Sequence, residues 1–196
     1  MAEDVKKGLI IFARKPVLGK VKTRLAATVG ELKALDIYKK LLIHTRTIAQ
    51  SSSCDNFAFL TEQDDEAFWT GFSCELQSGE NLGERMQEAF SLLFKKGYHQ
   101  CIIIGSDCPG LTNEIIDNAF ESLKTNDVVI GAAADGGYYL LGMKKLHSAL
   151  FKNKNWSTEH VFTQTVNDIK QHQFLFKTMP VLNDVDEEKD VPPEWL

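Results

Sequence analysis

The chain has 196 residues, 43% of them hydrophobic, and a formal net charge of −5 at pH 7. This size and composition predict a single globular domain over residues 1–196, and the mildly acidic balance disfavours nucleic acid as a partner. No apolar run approaches the roughly 18 residues of a membrane span, and the first eight residues lack the apolar centre of a signal peptide, so we expect no membrane partner and a cytoplasmic location. The sequence leaves the oligomeric state open.

The first predicted element is a strand, Leu9–Phe12, followed by a loop that contains Gly19 and by a helix that begins near Lys22. Five cations of this segment fall within eleven residues: Arg14, Lys15, Lys20, Lys22 and Arg24. The segment has neither the Walker pattern nor G-x-G-x-x-G. Cations at a helix N-terminus oppose the helix dipole, and free N–H groups there bind phosphate, so we predict a phosphate-bearing ligand. The alternative is a solvated basic loop.

Strands and helices alternate along the rest of the chain. Helices are predicted at Glu31–Gln50, Leu82–Lys96, Asn113–Lys124 and Thr158–Gln171, and strands at Phe57–Leu60, Ile102–Ile104, Val128–Ile130, Tyr138–Met143 and Phe174–Phe176. Several strands are apolar without alternation, as buried parallel strands are, and the helices carry apolar residues at three- and four-residue intervals. The pattern predicts an α/β sandwich.

Polar residues follow three of these strands, at the sheet edge where α/β proteins bind ligands. The loop after Leu9–Phe12 is the first. In the second, Asp107 lies beyond three isoleucines and before Pro109. An aspartate there is commonly a turn or cap residue, but Mg²⁺ and Mn²⁺ are often held by one or two carboxylates together with substrate phosphates. Asp107 is therefore a candidate metal ligand.

Two further acidic segments leave alternatives open. Asp135-Gly136-Gly137, the third of the segments that follow strands, comes after Val128–Ile130 and is typical of a tight turn. The same turn could present Asp135 while its glycines allow a substrate close to the backbone. Asp184 and Asp186 lie in an acidic tail, which is usually solvated surface. They share a face if the chain is extended, and a metal-binding role depends on their reaching Asp107.

Six ordered segments carry a resemblance: KPVLGKVKTRLA, QSGENLGERM, IIIGSDCPGL, ADGGYYLLG, NWST and NDVDEEKD. From about Leu9 to Asp190 the chain resembles the bacterial glycosyltransferase-like proteins associated with arsenosugar biosynthesis. These proteins have the GT-A, or nucleotide-diphospho-sugar transferase, fold. The resemblance implies a three-layer α/β/α sandwich with a mostly parallel mixed sheet.

The resemblance also implies roles for individual residues. Lys22 and Arg24 are expected to act on the diphosphate, and Asp135 is the candidate base toward the acceptor. Further nucleotide or phosphate contacts are Arg14, Lys15, Gly19, Gly83 and Arg85; metal ligands for Mg²⁺ or Mn²⁺ are Asp107 and Asp186, or Asp184; acceptor-side contacts are Gly136, Gly137, Trp156, Ser157 and Thr158. A typical GT-A glycosyltransferase carries Asp-x-Asp, but Pro109 stands at the second position here. Metal binding then depends more on Asp186.

Three functions are compatible with these features. The first is a metal-dependent glycosyltransferase that uses a nucleotide-diphospho-sugar donor and a small-molecule acceptor. The second is a nucleotidyltransferase that joins a nucleoside triphosphate to a phosphorylated small molecule, as the guanylyltransferases acting on 2-phospholactate and on the molybdenum cofactor do. The third is a non-catalytic nucleotide-sugar binding protein. Release of a nucleoside diphosphate, release of pyrophosphate, or binding without turnover separates them.

Overall fold

The computed structural model describes residues 5–63 and 67–196. In these residues seven strands form one sheet, in the order β3-β2-β1-β4-β6-β5-β7. The strands are β1 Lys7–Ala13, β2 Asp55–Leu60, β3 Ser73–Leu76, β4 Gln100–Ile104, β5 Val128–Ala133, β6 Tyr138–Met143 and β7 Phe176–Leu182; the helices are α1 Thr23–Val29, α2 Glu31–Ser51, α3 Leu82–Lys95, α4 Asn113–Ser122 and α5 Val161–Gln171. Strand β6 alone of these runs antiparallel to its two neighbours. The predicted α/β class and mostly parallel mixed sheet are confirmed.

The sheet is covered on both faces. Leu9 and Ile11 of β1 pack with residues of α2 and α4, whereas Ile10 packs with residues of α3 and α5. Successive strand residues point to opposite faces, so a strand that is apolar throughout can pack against a helical layer on each side. This arrangement is the three-layer sandwich that the resemblance implied, and it agrees with the α/β sandwich that the pattern predicted.

The sequence patterns missed or shifted three elements. Strand β3 was not predicted, and the last strand begins at Phe176 and ends at Leu182, beyond the expected Phe174–Phe176. Both lie at the edges of the sheet and are largely exposed, so neither carries a continuous apolar pattern. Pro180, inside β7, also weakens a strand signal because proline cannot donate to the ladder. Helix α5 begins at Val161, three residues after the expected start.

The topology brings several loops to one edge. Strands β1, β4, β5 and β7 run in the same direction, so the segments that follow them emerge together. Between β1 and β4 the strand order reverses, and a crevice forms at such a switch point. Across the part of the chain that the structure describes, no helix has the length and apolarity needed to cross a membrane. Residues 1–4, part of the segment assessed for a signal peptide, lie outside the described residues.

Candidate active site

A cleft of about 660 Å³ opens at this edge of the sheet. Twelve of the predicted site residues line it: Arg14, Lys22, Arg24, Arg85, Asp107, Asp135, Gly137, Trp156, Ser157, Thr158, Asp184 and Asp186. They come from segments after β1, β4, β5 and β7, from the loop before α5 and, for Arg85, from the start of α3. Four predicted residues, Lys15, Gly19, Gly83 and Gly136, do not line the cleft. The Nζ of Lys15 instead donates to the Gln63 carbonyl at 3.2 Å.

Lys22 lies among carboxylates. Its Nζ is 2.8 Å from Oδ2 of Asp107 and 3.5 Å from Oδ1 of Asp186, and only 6% of its side chain is exposed. The more exposed Arg24 places Nη1 3.1 Å from Oδ2 of Asp186. An anion was expected at this helix start because its cations oppose the dipole. Two carboxylates of the same chain already supply negative charge there.

Asp107, in the loop after β4, accepts one hydrogen bond from its own loop and one from the segment after β7. The hydroxyl of the buried Ser106 donates to Oδ1 of Asp107 at 3.3 Å. The backbone N–H of Val185 donates to the Asp107 carbonyl at 3.0 Å, which joins this loop to the segment after β7. A backbone hydrogen bond therefore brings Asp107 next to the acidic segment near the C-terminus, and the sequence alone could not establish this contact.

The segment after β7 is anchored by one apolar residue between two acids. Val185 is fully buried in a cluster with residues of α1 and α2, and Asp184 and Asp186 flank it. The Asp190 carboxylate accepts from the backbone N–H groups of Asp186 and Glu187, at 3.3 and 2.9 Å. This part of the acidic tail is consequently folded against the protein rather than free in solvent.

Carboxylates from two loops meet beside Lys22. Within the described residues, Asp135, Asp184 and Asp186 each offer an oxygen, and these oxygens lie within 4.8 Å of one another. Burial and the charges of Asp135 and Asp186 raise the pKa of Asp184 to about 6. Asp107 is not a member of this group and meets Asp186 through Lys22 instead. Carboxylate oxygens are the ligands that Mg²⁺ and Mn²⁺ prefer, so the donor set fits such a cation.

Asp135 lies in the turn between β5 and β6. Its Oδ1 accepts from the backbone N–H of Gly137 at 2.8 Å. Gly136 has a φ of +90°, and an added Cβ would lie 2.1 Å from the Glu159 carbonyl oxygen. Of the two interpretations that the sequence left open, the tight turn is observed, and Asp135 lines the cleft from it.

Residues 152–160, here called the packed wall, supply Trp156, Ser157 and Thr158 to the lining of the cleft. Trp156 seats its indole on Gly83 at the start of α3, where an added Cβ would lie 2.3–2.5 Å from three ring atoms. Lys154 is almost completely buried and forms an ion pair with Asp168 of α5. The close approaches explain why glycine stands at positions 83 and 136, which lie behind the cleft surface.

Two side chains that the sequence did not single out position the loops of the cleft. The Tyr38 hydroxyl accepts from the backbone N–H of Arg14 at 2.9 Å and donates to its carbonyl at 3.0 Å. The Gln77 side-chain amide donates to the Phe59 carbonyl at 2.9 Å and the Ala13 carbonyl at 3.4 Å. In the sequence, Tyr38 is indistinguishable from other core residues of its helix. Gln77 is the first residue of the QSGENLGERM segment, and its place in that segment is a signal by which it could have been found.

Residues 44–158 match the family described as "Uncharacterized protein conserved in bacteria (DUF2064)". The chain belongs to this family. A solved structure from Desulfovibrio desulfuricans G20, described as a proposed nucleotide-diphospho-sugar transferase, is 30% identical, with a TM-score of 0.87 over 92% of this chain and 82% of that one. No curated protein matches the sequence.

More distant structures share the fold. Rv0371c from Mycobacterium tuberculosis H37Rv, in complex with manganese, is 11% identical, with a TM-score of 0.58 over 95% of this chain and 96% of that one. The 4-diphosphocytidyl-2C-methyl-D-erythritol synthase of Anaerococcus prevotii DSM 20548 is 13% identical, with a TM-score of 0.54 over 95% and 92%. The expected fold is confirmed, and the arsenosugar association stays a prediction.

Proposed function

We propose that this DUF2064 protein is a metal-dependent glycosyltransferase that takes a nucleotide-diphospho-sugar and passes its glycosyl group to a small acceptor. The observation that carries the proposal is the meeting of carboxylates and cations from four strand ends in one cleft. A diphosphate donor needs both signs of charge, because cations bind its phosphates and carboxylates hold a metal between them and the protein. The 30% identical relative supports the same class of donor.

Cationic side chains would bind the donor. Lys22 and Arg24 line the cleft beside the carboxylates and would contact the diphosphate, and Arg14 and Arg85 extend the positive surface along the cleft. Arg24 is 72% exposed and can leave Asp186 at little cost, since exposed ion pairs are weak. Preorganised positive charge at the leaving diphosphate stabilises the transition state.

Asp107 and Asp186, which face each other across Lys22, would hold Mg²⁺ or Mn²⁺, with Asp184 as a further carboxylate. Asp135, the third acid of the group with Asp184 and Asp186, would be left for the acceptor. When bound, the cation supplies positive charge that stabilises the departing diphosphate. The pKa of Asp184 is raised first by burial and then by the charges of Asp135 and Asp186, and a shared cation would offset both effects.

Asp135 would act on the acceptor side. In the proposed transfer, the bond between the anomeric carbon and the diphosphate oxygen breaks, and the acceptor oxygen bonds to that carbon. The proton of the acceptor hydroxyl passes to the Asp135 carboxylate, and the nucleoside diphosphate leaves. Trp156, Ser157 and Thr158 line the same cleft and would contact the acceptor.

Binding and turnover test this proposal with named donors. We expect UDP-, GDP-, ADP- or dTDP-glucose to raise the melting temperature in the presence of Mn²⁺, because a ligand that binds the folded state stabilises it. Asp107→Asn should abolish the Mn²⁺-dependent part of the shift, whereas Asp117→Asn, an exposed aspartate on α4, should leave it unchanged. If Asp107→Asn behaves like the control, the metal assignment is wrong.

The nature of the product separates the alternatives. The single carboxylate of the loop after β4, with Pro109 two residues on, favours the nucleotidyltransferase as the second candidate. With a nucleoside triphosphate and a phosphorylated acceptor that enzyme releases pyrophosphate, whereas a glycosyltransferase releases a nucleoside diphosphate from a sugar donor. Saturable binding without any product across a broad acceptor panel would instead indicate a binding protein.

A further inference from the structure

We propose that Lys22 is an intramolecular cation that fills the position between Asp107 and Asp186, and that a divalent metal must displace it to bind there. The inference rests on the proposed function, since it concerns how the same metal site is reached. It assigns Lys22 a role before any phosphate is bound, in addition to the expected contact with the diphosphate.

Convergence of two carboxylates on one atom is the first observation. Asp107 and Asp186 belong to loops after different strands, and the distances from Lys22 Nζ to their oxygens are 2.8 and 3.5 Å. The hydrogen bond from the backbone N–H of Val185 to the Asp107 carbonyl keeps the two loops together. Without a cation between them, two carboxylates so placed would repel each other.

The burial of Lys22 is the second observation. Its side chain is 6% exposed, whereas that of Arg24, two residues on, is 72% exposed. A buried ammonium depends on its partners, because burial removes the water that would otherwise stabilise its charge. Lys22 is therefore a specific occupant of this position, and Arg24 lies at the rim.

Exchange follows from the chemistry of the two cations. An ammonium and a divalent ion can each neutralise the carboxylates of Asp107 and Asp186, but the two cations cannot occupy the same position. The divalent ion carries twice the charge and therefore attracts the carboxylates more strongly. Lysine is a compact charge on a flexible stem, so its Nζ can move while its backbone stays in place. After displacement Lys22 remains on the cleft wall, where the phosphates of the proposed donor would be its next partner.

The inference predicts that loss of Lys22 strengthens metal binding in the absence of nucleotide. Mn²⁺ alone is titrated into wild type, Lys22→Met and Lys20→Met, with free Mn²⁺ measured by electron paramagnetic resonance. We expect Lys22→Met to bind Mn²⁺ more tightly than wild type by on the order of tenfold, an effect of the size that one bound group typically has on the affinity for another. Lys20→Met removes the same charge from an exposed position of the same loop and should stay within about twofold of wild type.

A second measurement on the wild-type protein covers the case in which Lys22→Met does not fold. In protein labelled with ¹³C-lysine, Mg²⁺ should shift the ε-CH₂ resonance of Lys22, assigned with Lys22→Arg, and leave that of Lys20 in place. Equal or weaker Mn²⁺ affinity in Lys22→Met, or an unmoved Lys22 resonance at saturating Mg²⁺, would overturn the inference and leave the metal site standing. Absence of Mn²⁺ binding in all three proteins would overturn the metal site itself.

Discussion

Two parts of the cleft lining differ in how closely their contacts are packed. On the charged side, Lys22 and Arg24 face Asp107 and Asp186 through ion pairs. On the other side, residues of the packed wall, 152–160, approach two glycines elsewhere in the chain so closely that neither glycine has room for one additional carbon. The first side can change partners without a change in the backbone, because an ion pair needs only a charge of the right sign. The second side cannot.

This difference indicates which residues serve ligand binding and which maintain the shape of the cleft. Groups that exchange their partners can receive a metal or phosphates, whereas groups that are tightly packed fix where an acceptor can lie. Substitutions at the two glycines that the packed wall contacts should therefore cost stability, and those on the charged side should mainly change ligand affinity. Three predictions test this contrast, in order of decreasing effect.

Gly136→Ala should have the largest effect. The added Cβ would lie 2.1 Å from the Glu159 carbonyl oxygen, a backbone atom, and the residue has a φ of +90°. We expect a loss of about 3 kcal/mol or more in the free energy of unfolding, measured by urea denaturation. Gly71→Ala is the matched control, with the same φ and nothing within 4 Å, and should cost only about 1 kcal/mol. Equal losses would show that the Glu159 contact is unimportant.

Gly83→Ala should displace Trp156, since the new methyl group would overlap three atoms of its indole. Alanine favours a helix by about 1 kcal/mol over glycine, so the net loss of stability should be about 1–2 kcal/mol, and the KM for the acceptor should rise. The measurements are urea denaturation and steady-state kinetics with the acceptor varied.

The double variant Gly83→Ala/Trp156→Ala provides the control for that overlap. Without the indole the methyl group has space, so the effect of Gly83→Ala should become small or favourable in a double-mutant cycle. An unchanged effect in the Trp156→Ala background would mean that the glycine is required for another reason.

Arg24→Gln should have the smallest effect on stability, below about 1 kcal/mol, because the Arg24 side chain is largely exposed. Its loss should nevertheless weaken donor binding about tenfold, the equivalent of one charge-assisted hydrogen bond, as measured by calorimetry in the presence of Mn²⁺. Lys40→Gln removes a cation from an exposed pair with Asp36 on α2 and should change neither quantity. Donor affinity equal to that of the control would remove Arg24 from the donor site.

Much of the fold was predictable from local pattern. The buried strands β1, β4 and β6 and the helices α2 and α3 have the expected places to within a few residues. These elements carry the strongest sequence patterns, because a strand buried on both faces is apolar throughout and a helix packed on the sheet has one apolar face. The exposed edge strands β3 and β7 lack that constraint and were missed or shifted. The single-domain and cytoplasmic interpretations stay predictions.

The candidate site was predictable as a set of residues but not as an arrangement. Asp107, Asp135 and the loop cations were noticed because they follow predicted strands. In an α/β sheet, ligands bind at the carboxyl ends of the strands. Their functional roles stay predictions. Nothing local indicated that Val185 would be buried and so bring Asp184 to Asp135, or that Trp156 would need a glycine beneath it.

The sequence by itself determined the α/β class, the sheet edge at which polar residues collect and a surplus of charge there, because these depend on periodicity and on residues near strand ends. The tertiary structure decided which charges meet. It placed Lys22 between Asp107 and Asp186, and it grouped Asp135 with Asp184 and Asp186. Contacts between loops far apart in the chain depend on how the helical layers and edge strands pack, and no local pattern encodes that packing.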